Sequence, residues 1–274
     1  MNRLKIERRA TILGALVEGT SVSAAARMAG VSKVTVLKLL VDVGHACADY
    51  QDRALRNLPC RRLQADEIWS YIHAKERNLP KEKRGKLGYG DTWVWTVVCA
   101  DTRLIPCWKV GRRDTATAKV FLTDLASRLK HRVQLTTDGH NAYLQAVEET
   151  FGAEIDYSML VKLYGPAPES ERRYSPPVCV GTQTMRIMGQ PRGESISTSY
   201  VERTNLTMRL GMRRFTRLTN GFSRKLENHE CAIALHMMYY NFARLHQTIR
   251  VTPAMEAGIE NRIWSLEDIA SLAP

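Results

Sequence analysis

The chain has 274 residues, 44% of them apolar and 25% charged, which is typical of a globular protein with one large domain and a small one. No apolar run approaches the roughly 18 residues of a membrane span, and the N-terminus lacks a signal-peptide core, so we expect a cytoplasmic protein. Six scattered cysteines without a CxxC pair argue against a disulfide framework and against a zinc finger.

The net charge of +12 is concentrated in two segments. Residues 1–44 carry seven Lys or Arg against three Asp or Glu, and residues 203–250 carry nine against two. Two separate basic segments favour two surfaces for a polyanion, most simply nucleic acid. A solvated basic face without a partner is the alternative for either segment.

The first basic segment has the pattern of a helix-turn-helix. Residues 4–17 show helical spacing, a hydroxyl side chain at position 20, 21 or 23 can cap a short second helix, and Ser32 can cap a third after a turn at Gly30. In this motif the N-terminal residues of the last helix reach base edges in the major groove. The side chains predicted to face DNA are Ser32, Lys33, Thr35 and Lys38. A three-helix module for protein interactions is the alternative.

From Leu63 the chain alternates between strand and helix patterns. Strands are predicted at 63–74, 91–101, 103–111, 133–138 and 153–165, and helices at 114–130, from 141, around Glu202 and at about 223–244. This order predicts an α/β fold: a ribonuclease H-like mixed sheet with flanking helices, preceded by a small all-α helix-turn-helix domain.

The same patterns predict the domain organisation. Residues 1–44 form the helix-turn-helix domain, 45–62 a helical linker, 63–245 the catalytic domain with a long loop at 165–195, and 246–274 a C-terminal tail. The loop is predicted because its Pro, Gly and Ser residues follow no period.

Three acids sit where a ribonuclease H-like fold brings strand ends together. Asp66 lies in the first strand, Asp138 at the end of the fourth, and Glu202 on the helix after the last. Carboxylates are the ligands of Mg²⁺, and two such ions support an in-line displacement at phosphorus. His140 and Asp156 are weaker candidates for the same site.

Two questions about these acids remain: which of the adjacent Asp66 and Glu67 belongs to the site, and whether Glu202 binds a cationic side chain or a metal ion. In a strand, Asp66 and Glu67 point to opposite faces, so only one is expected in the site, and Asp66 is favoured. Glu202 stands among arginines and is either a salt-bridge partner or a metal ligand. Within its own helix, no position three or four residues away holds a cation, which favours the ligand.

A helical wheel separates two sides of the Glu202 helix. Asn205, Arg209 and Arg213 lie within about 60° of Glu202 and are predicted to bind DNA. The buried stripe is predicted to contain Val201, Met208, Met212 and Phe215.

The segments "QADEIWSYI", "TTDGHNAY" and "SYVERTNLTMR", following the helix-turn-helix segment "AAARMAGVSKVTVLKLL", resemble the DDE transposases of bacterial insertion elements. The insertion-sequence-one family is the most similar, over about residues 20–245. The ending "NFARLHQTIRVTPAMEAGI" resembles a tail common in such transposases.

This resemblance implies a function and a set of ligands. The activity would be metal-dependent cleavage and joining of double-stranded DNA at terminal inverted repeats, with two Mg²⁺ or Mn²⁺ ions held by Asp66, Asp138 and Glu202. Arg209 matches a basic residue that contacts DNA, and a homodimer or higher oligomer is expected when two ends are held together. A DNA-binding regulator derived from a transposase, or a nuclease without joining activity, are the alternatives.

Overall fold

The computed structural model describes residues 4–86, 88–165, 178–216 and 219–274. The chain begins with the helices α1 (Ile6–Val17), α2 (Val22–Met28) and α3 (Lys33–Ala54). Ser21 and Ser32 cap α2 and α3 by accepting a hydrogen bond from the backbone N–H group of the third residue of each helix. The predicted start of α3 is confirmed, and this helix continues through the first half of the segment predicted as a linker.

The larger part of the chain is built on a six-stranded mixed sheet in the order β3-β2-β1-β4-β5-β6. The strands are β1 (Arg62–Ile72), β2 (Gly90–Cys99), β3 (Trp108–Gly111), β4 (Val133–Thr137), β5 (Ile155–Tyr164) and β6 (Cys179–Met188). β1 runs antiparallel to β2 and parallel to β4, which is parallel to β5. This is the predicted ribonuclease H-like arrangement, and the predicted fold class is confirmed.

Helices cover both faces of the sheet. The remaining helices are α4 (Thr115–Arg128), α5 (Ala142–Phe151), α6 (Ser199–Gly211), α7 (Leu226–Met238), α8 (Pro253–Glu256) and α9 (Leu266–Ser271). Trp95 of β2 packs its ring against Phe121 of α4 and Tyr143 of α5 on one face. On the other face α6 lies against β1 and β2, and α3 packs against α7.

The predicted loop at 165–195 is wrong in part, because Cys179–Met188 forms β6. β6 is an edge strand that pairs antiparallel with β5, with register shifts near Tyr157 and Tyr164. Most of its side chains are exposed on both faces, so no apolar alternation marks it in the sequence. Residues 166–177 of the predicted loop lie outside the described residues.

The N-terminal helices share one continuous hydrophobic cluster with the sheet and the C-terminal segment. α3 and α7 cross so closely that a Cβ atom at Gly44 would lie 2.3 Å from the Cβ of Cys231. α9 packs against α1, and Arg9 donates to the carbonyl oxygen of Ala273 at 3.1 Å. Across the described part of the chain, no helix combines the length and apolar character that crossing a bilayer requires.

Candidate active site

A gap in the sheet forms the candidate site. β4 is short: its last pairs are Thr137 with Ala65 of β1 and Thr137 with Met159 of β5. Both neighbouring strands continue beyond this point, so a cavity of about 840 Å³ opens between them. Asp138 follows β4 directly and faces this cavity from its floor.

Three carboxylates meet at the gap. Asp66, Glu67 and Asp138 each bring one oxygen to within 4.8 Å of the oxygens of the other two. Asp66 accepts hydrogen bonds from the Asn205 amide at 2.8 Å and from the Glu67 backbone N–H at 2.8 Å. Asp138 accepts from the His140 backbone N–H at 3.0 Å. These bonds fix the directions of the two aspartates.

The expectation that only one of Asp66 and Glu67 reaches the site is wrong. Asp66 lies on the face covered by α6, where Asn205 binds it, and Glu67 lies on the face covered by α5. Both nevertheless line the same cavity, because β4 no longer separates the two faces beyond Thr137. The Asp66 carboxylate accepts a hydrogen bond from the Glu67 backbone N–H, so it turns toward the next residue and lies near the Glu67 carboxylate.

Burial and mutual repulsion perturb these acids. Burial, followed by the charge of Asp138, raises the pKa of Asp66 from 3.8 to about 6. The same two causes raise the pKa of Glu67 from 4.5 to about 7. Two hydrogen bonds to Asp66 act in the opposite direction without cancelling the effect. The cluster therefore favours a bound cation.

Arg113 supplies part of the missing positive charge. Its Nε donates to Glu67 Oε2 at 3.1 Å, and its Nη2 lies 3.6 Å from Asp138 Oδ2. The guanidinium lies over the ring of Trp93 at 4.8 Å, which holds it in place. The Tyr143 hydroxyl of α5 also faces Glu67 and, as a hydrogen-bond partner, offsets part of the rise in the Glu67 pKa.

Glu202 lies on the wall of the cavity, outside the cluster of three carboxylates. One of its oxygens is 2.5 Å from Lys162 Nζ of β5, and the other accepts from the Thr198 hydroxyl at 2.6 Å. Among the described residues no cation of α6 pairs with Glu202, as predicted, but Lys162 of β5 does, so the structure shows Glu202 as a salt-bridge partner, the alternative that the sequence disfavoured. The structure thus places all three predicted acids around one cavity and brings two of them into contact distance.

The predicted DNA-binding residues of α6 divide into two groups. Asn205 and Arg209 line the cavity beside Glu202. Arg213 does not, because α6 ends at Gly211 and Arg213 begins a 3₁₀ turn, so its predicted place on the Glu202 face is wrong. The residues of the predicted apolar stripe are all buried: Val201, Met208, Met212 and Phe215.

The predicted DNA-facing residues of the helix-turn-helix lie together at the start of α3. Lys33 and Lys38 are exposed, and Thr35 is half-buried. The Ser32 hydroxyl is 2.9 Å from that of Thr35 and also caps the helix, so both side chains have an internal role.

Of the two weaker candidates, only His140 is at the cavity. Its ring stacks on Trp95 at 5.9 Å, and burial followed by the charge of Arg113 lowers its pKa. Asp156 instead pairs with Arg132 at 2.8 Å and accepts from the Gln190 N–H, away from the other acids.

The sequence pattern did not identify Glu67, Arg113 and Lys162 as parts of the site. Two weak signals precede them: "GRRD" places an arginine directly before the α4 cap Asp114, and "MLVKLY" places a lone cation in an apolar strand. Neither signal shows where the side chain of Arg113 or Lys162 points, because both reach the cavity only through the tertiary arrangement.

The residues at the gap fit a divalent cation. Hard ions such as Mg²⁺ take oxygen ligands and bind through one or two carboxylates together with substrate phosphates. Three carboxylates whose oxygens lie within 4.8 Å of one another, two of them with raised pKa values, offer that donor set. The all-oxygen ligand set favours a hard divalent ion such as Mg²⁺.

The fold and this site define a class: a ribonuclease H-like domain with a carboxylate centre in the middle of β1 and at the end of β4. The family model DDE_Tnp_IS240, described as a DDE domain, matches residues 85–163. The matched segment contains Asp138, Arg113 and Lys162. The match supports a transposase of the DDE type and, with the acid cluster, the use of a divalent metal.

Solved structures of transposase complexes are also similar to the chain. A pre-cleavage Mos1 transpososome is 11% identical with a TM-score of 0.25, and covers 57% of this chain and 60% of that chain. A Mos1 paired-end complex with the left transposon end is 13% identical with a TM-score of 0.23, covering 54% and 58%. The Mos1 strand transfer complex is 13% identical with a TM-score of 0.25, covering 86% and 78%.

The chain therefore spans about three fifths of the length of the first two of these proteins. TM-scores this low do not establish a common fold, which here follows from the strand order instead. No curated protein matches the chain.

Proposed function

We propose that the protein is a transposase that cleaves and joins double-stranded DNA at the terminal inverted repeats of an insertion element. The observation that carries this proposal is the meeting of Asp66, Glu67 and Asp138 within 4.8 Å in an open cavity walled by Glu202 and Arg209. The family match over residues 85–163 supports the same reaction class. The element would be bacterial and similar to the insertion-sequence-one family, and the reaction would take place in the cytoplasm.

Asp66 and Asp138 would hold Mg²⁺ or Mn²⁺, and Glu202 would complete the set for a second ion once Lys162 gives way. Such ions, when bound, activate an attacking oxygen and stabilise the leaving oxygen of an in-line displacement at phosphorus. Attack by water gives strand cleavage, and attack by a DNA 3′-hydroxyl gives strand transfer.

The other residues of the cavity orient the acids and the DNA. Asn205 holds the Asp66 carboxylate, and the His140 backbone N–H holds that of Asp138. Arg113 limits the repulsion between Glu67 and Asp138. Arg209 lines the cavity one helical turn beyond Asn205, where a guanidinium can contact a phosphate of the strand being cut.

Sequence-specific binding would come from α3. Lys33 and Lys38 are exposed on the face that enters the major groove in a helix-turn-helix, with Ser32 and Thr35 beside them. Arg213, outside the cavity, would contact DNA beyond the cleaved position. Because two element ends must be held together, we propose a homodimer or higher oligomer in the active complex.

The test uses the full chain, Mg²⁺, and duplexes that end in the inverted repeats found in the DNA flanking the gene. Nicking at the repeat end followed by joining to a second duplex is expected. Tight binding of the repeat without nicking or joining would favour the regulator instead, and nicking without joined products would favour a nuclease. A duplex with a scrambled repeat is the control for specificity.

A further inference from the structure

A second cavity, of about 380 Å³, lies on the other side of α6 from the candidate active site. One wall is formed by the outer side of α6 and the other by the segment Arg244 to Thr248, which follows α7. Neighbouring residues of α6 point to different cavities: Glu202 lines the catalytic cavity and Arg203 the second one. This wall belongs to the tail segment "NFARLHQTIR", to which the proposed chemistry gives no role.

The second cavity is strongly basic. Three guanidinium groups line it, those of Arg103, Arg203 and Arg244, and none of the described residues that line it is Asp or Glu. Hydroxyl and amide groups complete the lining: Tyr200, Thr204, Thr207, Tyr240, Gln247 and Thr248. The Thr204 and Thr207 hydroxyls donate to carbonyl oxygens of their own helix, so the guanidinium groups are the donors that can recognise phosphate oxygens here.

Arg103 is held in position for this role. Its backbone has a φ of 64°, in the left-handed region that non-glycine residues seldom occupy. Its guanidinium lies 3.6 Å from the centre of the Tyr200 ring and donates to the carbonyl oxygen of Ala100. These two contacts hold the guanidinium of Arg103 against the lining of the cavity.

His246 contributes a buried ring nitrogen that has no hydrogen-bond partner among the described residues. This nitrogen is Nε2, and the ring packs edge-on against Tyr240 at 4.5 Å. Burial, followed by the charge of Arg244, lowers the pKa of His246 to about 4, so the ring is neutral at physiological pH. The neutral ring keeps the positive charge of the cavity on its three arginines.

We propose that this cavity binds backbone phosphates of duplex DNA, independently of sequence, as a second contact about one helix diameter (about 10–12 Å) from the catalytic cavity. The inference rests on the proposed function in that DNA is the substrate. Arg203 and Arg244 are both exposed and would each neutralise one phosphate, and Arg103 lines the same cavity. The tail segment would thus hold DNA that passes behind α6.

The test is a salt titration of DNA binding in the absence of metal. The double variant Arg203→Gln/Arg244→Gln is compared with the wild-type full chain on a labelled duplex of unrelated sequence in chelator. The slope of log K against log salt should become shallower by about 2, because each lost phosphate contact contributes about 0.9, with affinity at low salt falling about tenfold or more. The variant Arg203→Lys/Arg244→Lys should keep most of the slope.

The matched control is Arg53→Gln/Lys130→Gln, which removes two exposed positive charges outside either cavity. Equal losses of slope in this control and in the test variant would overturn the proposal, as would an unchanged slope in the test variant. If the double variant melts early, Arg203→Gln alone is measured, with an expected loss of about 1. If the proposed function is wrong, the wild type will not cut DNA in the presence of magnesium. The salt titration measures binding without metal, so the two failures can be told apart.

Discussion

Lys162 of β5 and Glu202 of α6 form an ion pair across the cavity of the candidate active site, with Nζ 2.5 Å from Oε2. The Thr198 hydroxyl occupies the other oxygen of the same carboxylate at 2.6 Å. Both side chains of the pair are about one-third exposed, so the pair is accessible to ions. A metal ion that binds Glu202 therefore competes with the ammonium group of Lys162 for the same carboxylate.

This competition predicts that Lys162→Met tightens divalent-ion binding by the DNA-free protein. Removing the competing ammonium should lower the Kd for Mn²⁺ about three- to tenfold, the range that corresponds to a partly exposed ion pair of roughly 1 kcal/mol. Isothermal titration calorimetry with Mn²⁺ measures the effect directly.

Lys119→Met is the matched control, because it removes a lysine that pairs with Glu149 at 2.7 Å on the surface of α4 and α5. Its Kd for Mn²⁺ should equal that of the wild type. An unchanged or weaker Kd in Lys162→Met would show that Lys162 does not compete for Glu202.

The acid cluster predicts an unusual dependence of stability on pH. In the folded protein the pKa of Glu67 is raised from 4.5 to about 7, so between these values the folded state holds a proton that the unfolded state releases. The free energy of unfolding should fall as pH rises through this window, by on the order of 3 kcal/mol for Glu67. Urea denaturation in chelator between pH 5 and 8 would measure the fall.

The variant Glu67→Gln should flatten this pH dependence and be more stable than the wild type at the upper end of the window. Its amide retains an acceptor for Arg113 but carries no charge to repel Asp66 and Asp138. Glu267→Gln, a substitution on the exposed side of α9, should leave the curve unchanged. Curves of equal slope for Glu67→Gln and the wild type would contradict the assigned cause.

The sheet and two of its acids are predictable from sequence because they depend on local patterns. Alternation marks β1, β-branched and aromatic residues mark β2, and an aspartate followed by glycine marks the end of β4. Asp66 and Asp138 then lie on adjacent strands in the ribonuclease H-like order. Asn205 is likewise placed correctly, since it is one turn from Glu202 on a regular helix.

The other residues of the site reach the cavity, or leave it, according to where strands and helices end. Glu67 joins the cavity only because β4 ends at Thr137, and Lys162 reaches Glu202 only because β5 continues past that point. Arg213 leaves the cavity because α6 ends at Gly211. Element ends are set by tertiary pairing, which a one-dimensional pattern does not contain.

The chemistry predicts that Asp138→Asn abolishes cutting and joining while leaving DNA binding nearly intact. The amide keeps the shape of the side chain and can still accept from the His140 N–H, but it removes a metal-binding charge. The loss should be at least about a thousandfold in cleavage, and repeat-duplex affinity by gel shift should change less than about threefold. Asp156→Asn, an acid outside the cavity, serves as the control. A large loss of binding by Asp138→Asn would instead indicate a structural role.

The close crossing of α3 and α7 predicts that Gly44→Ala destabilises the whole chain. At an ordinary helix position this substitution is stabilising by about 0.5–1 kcal/mol, because glycine is a poor helix former. Here the added methyl would lie 2.3 Å from the Cβ of Cys231 and 2.6 Å from its Cα, so the two helices would have to separate. A net loss of about 1–3 kcal/mol in the free energy of unfolding is expected.

Gly181→Ala is the control for this substitution, since a methyl there meets only Leu163, at an ordinary 3.9 Å. Guanidinium denaturation followed by circular dichroism should show the loss for Gly44→Ala alone. A single transition at a lower midpoint would mean that the N-terminal helices and the sheet unfold together, as expected from their shared hydrophobic cluster. A stabilised Gly44→Ala variant would mean that α3 and α7 separate easily in solution, and the N-terminal helices would then be free to reach DNA independently of the catalytic cavity.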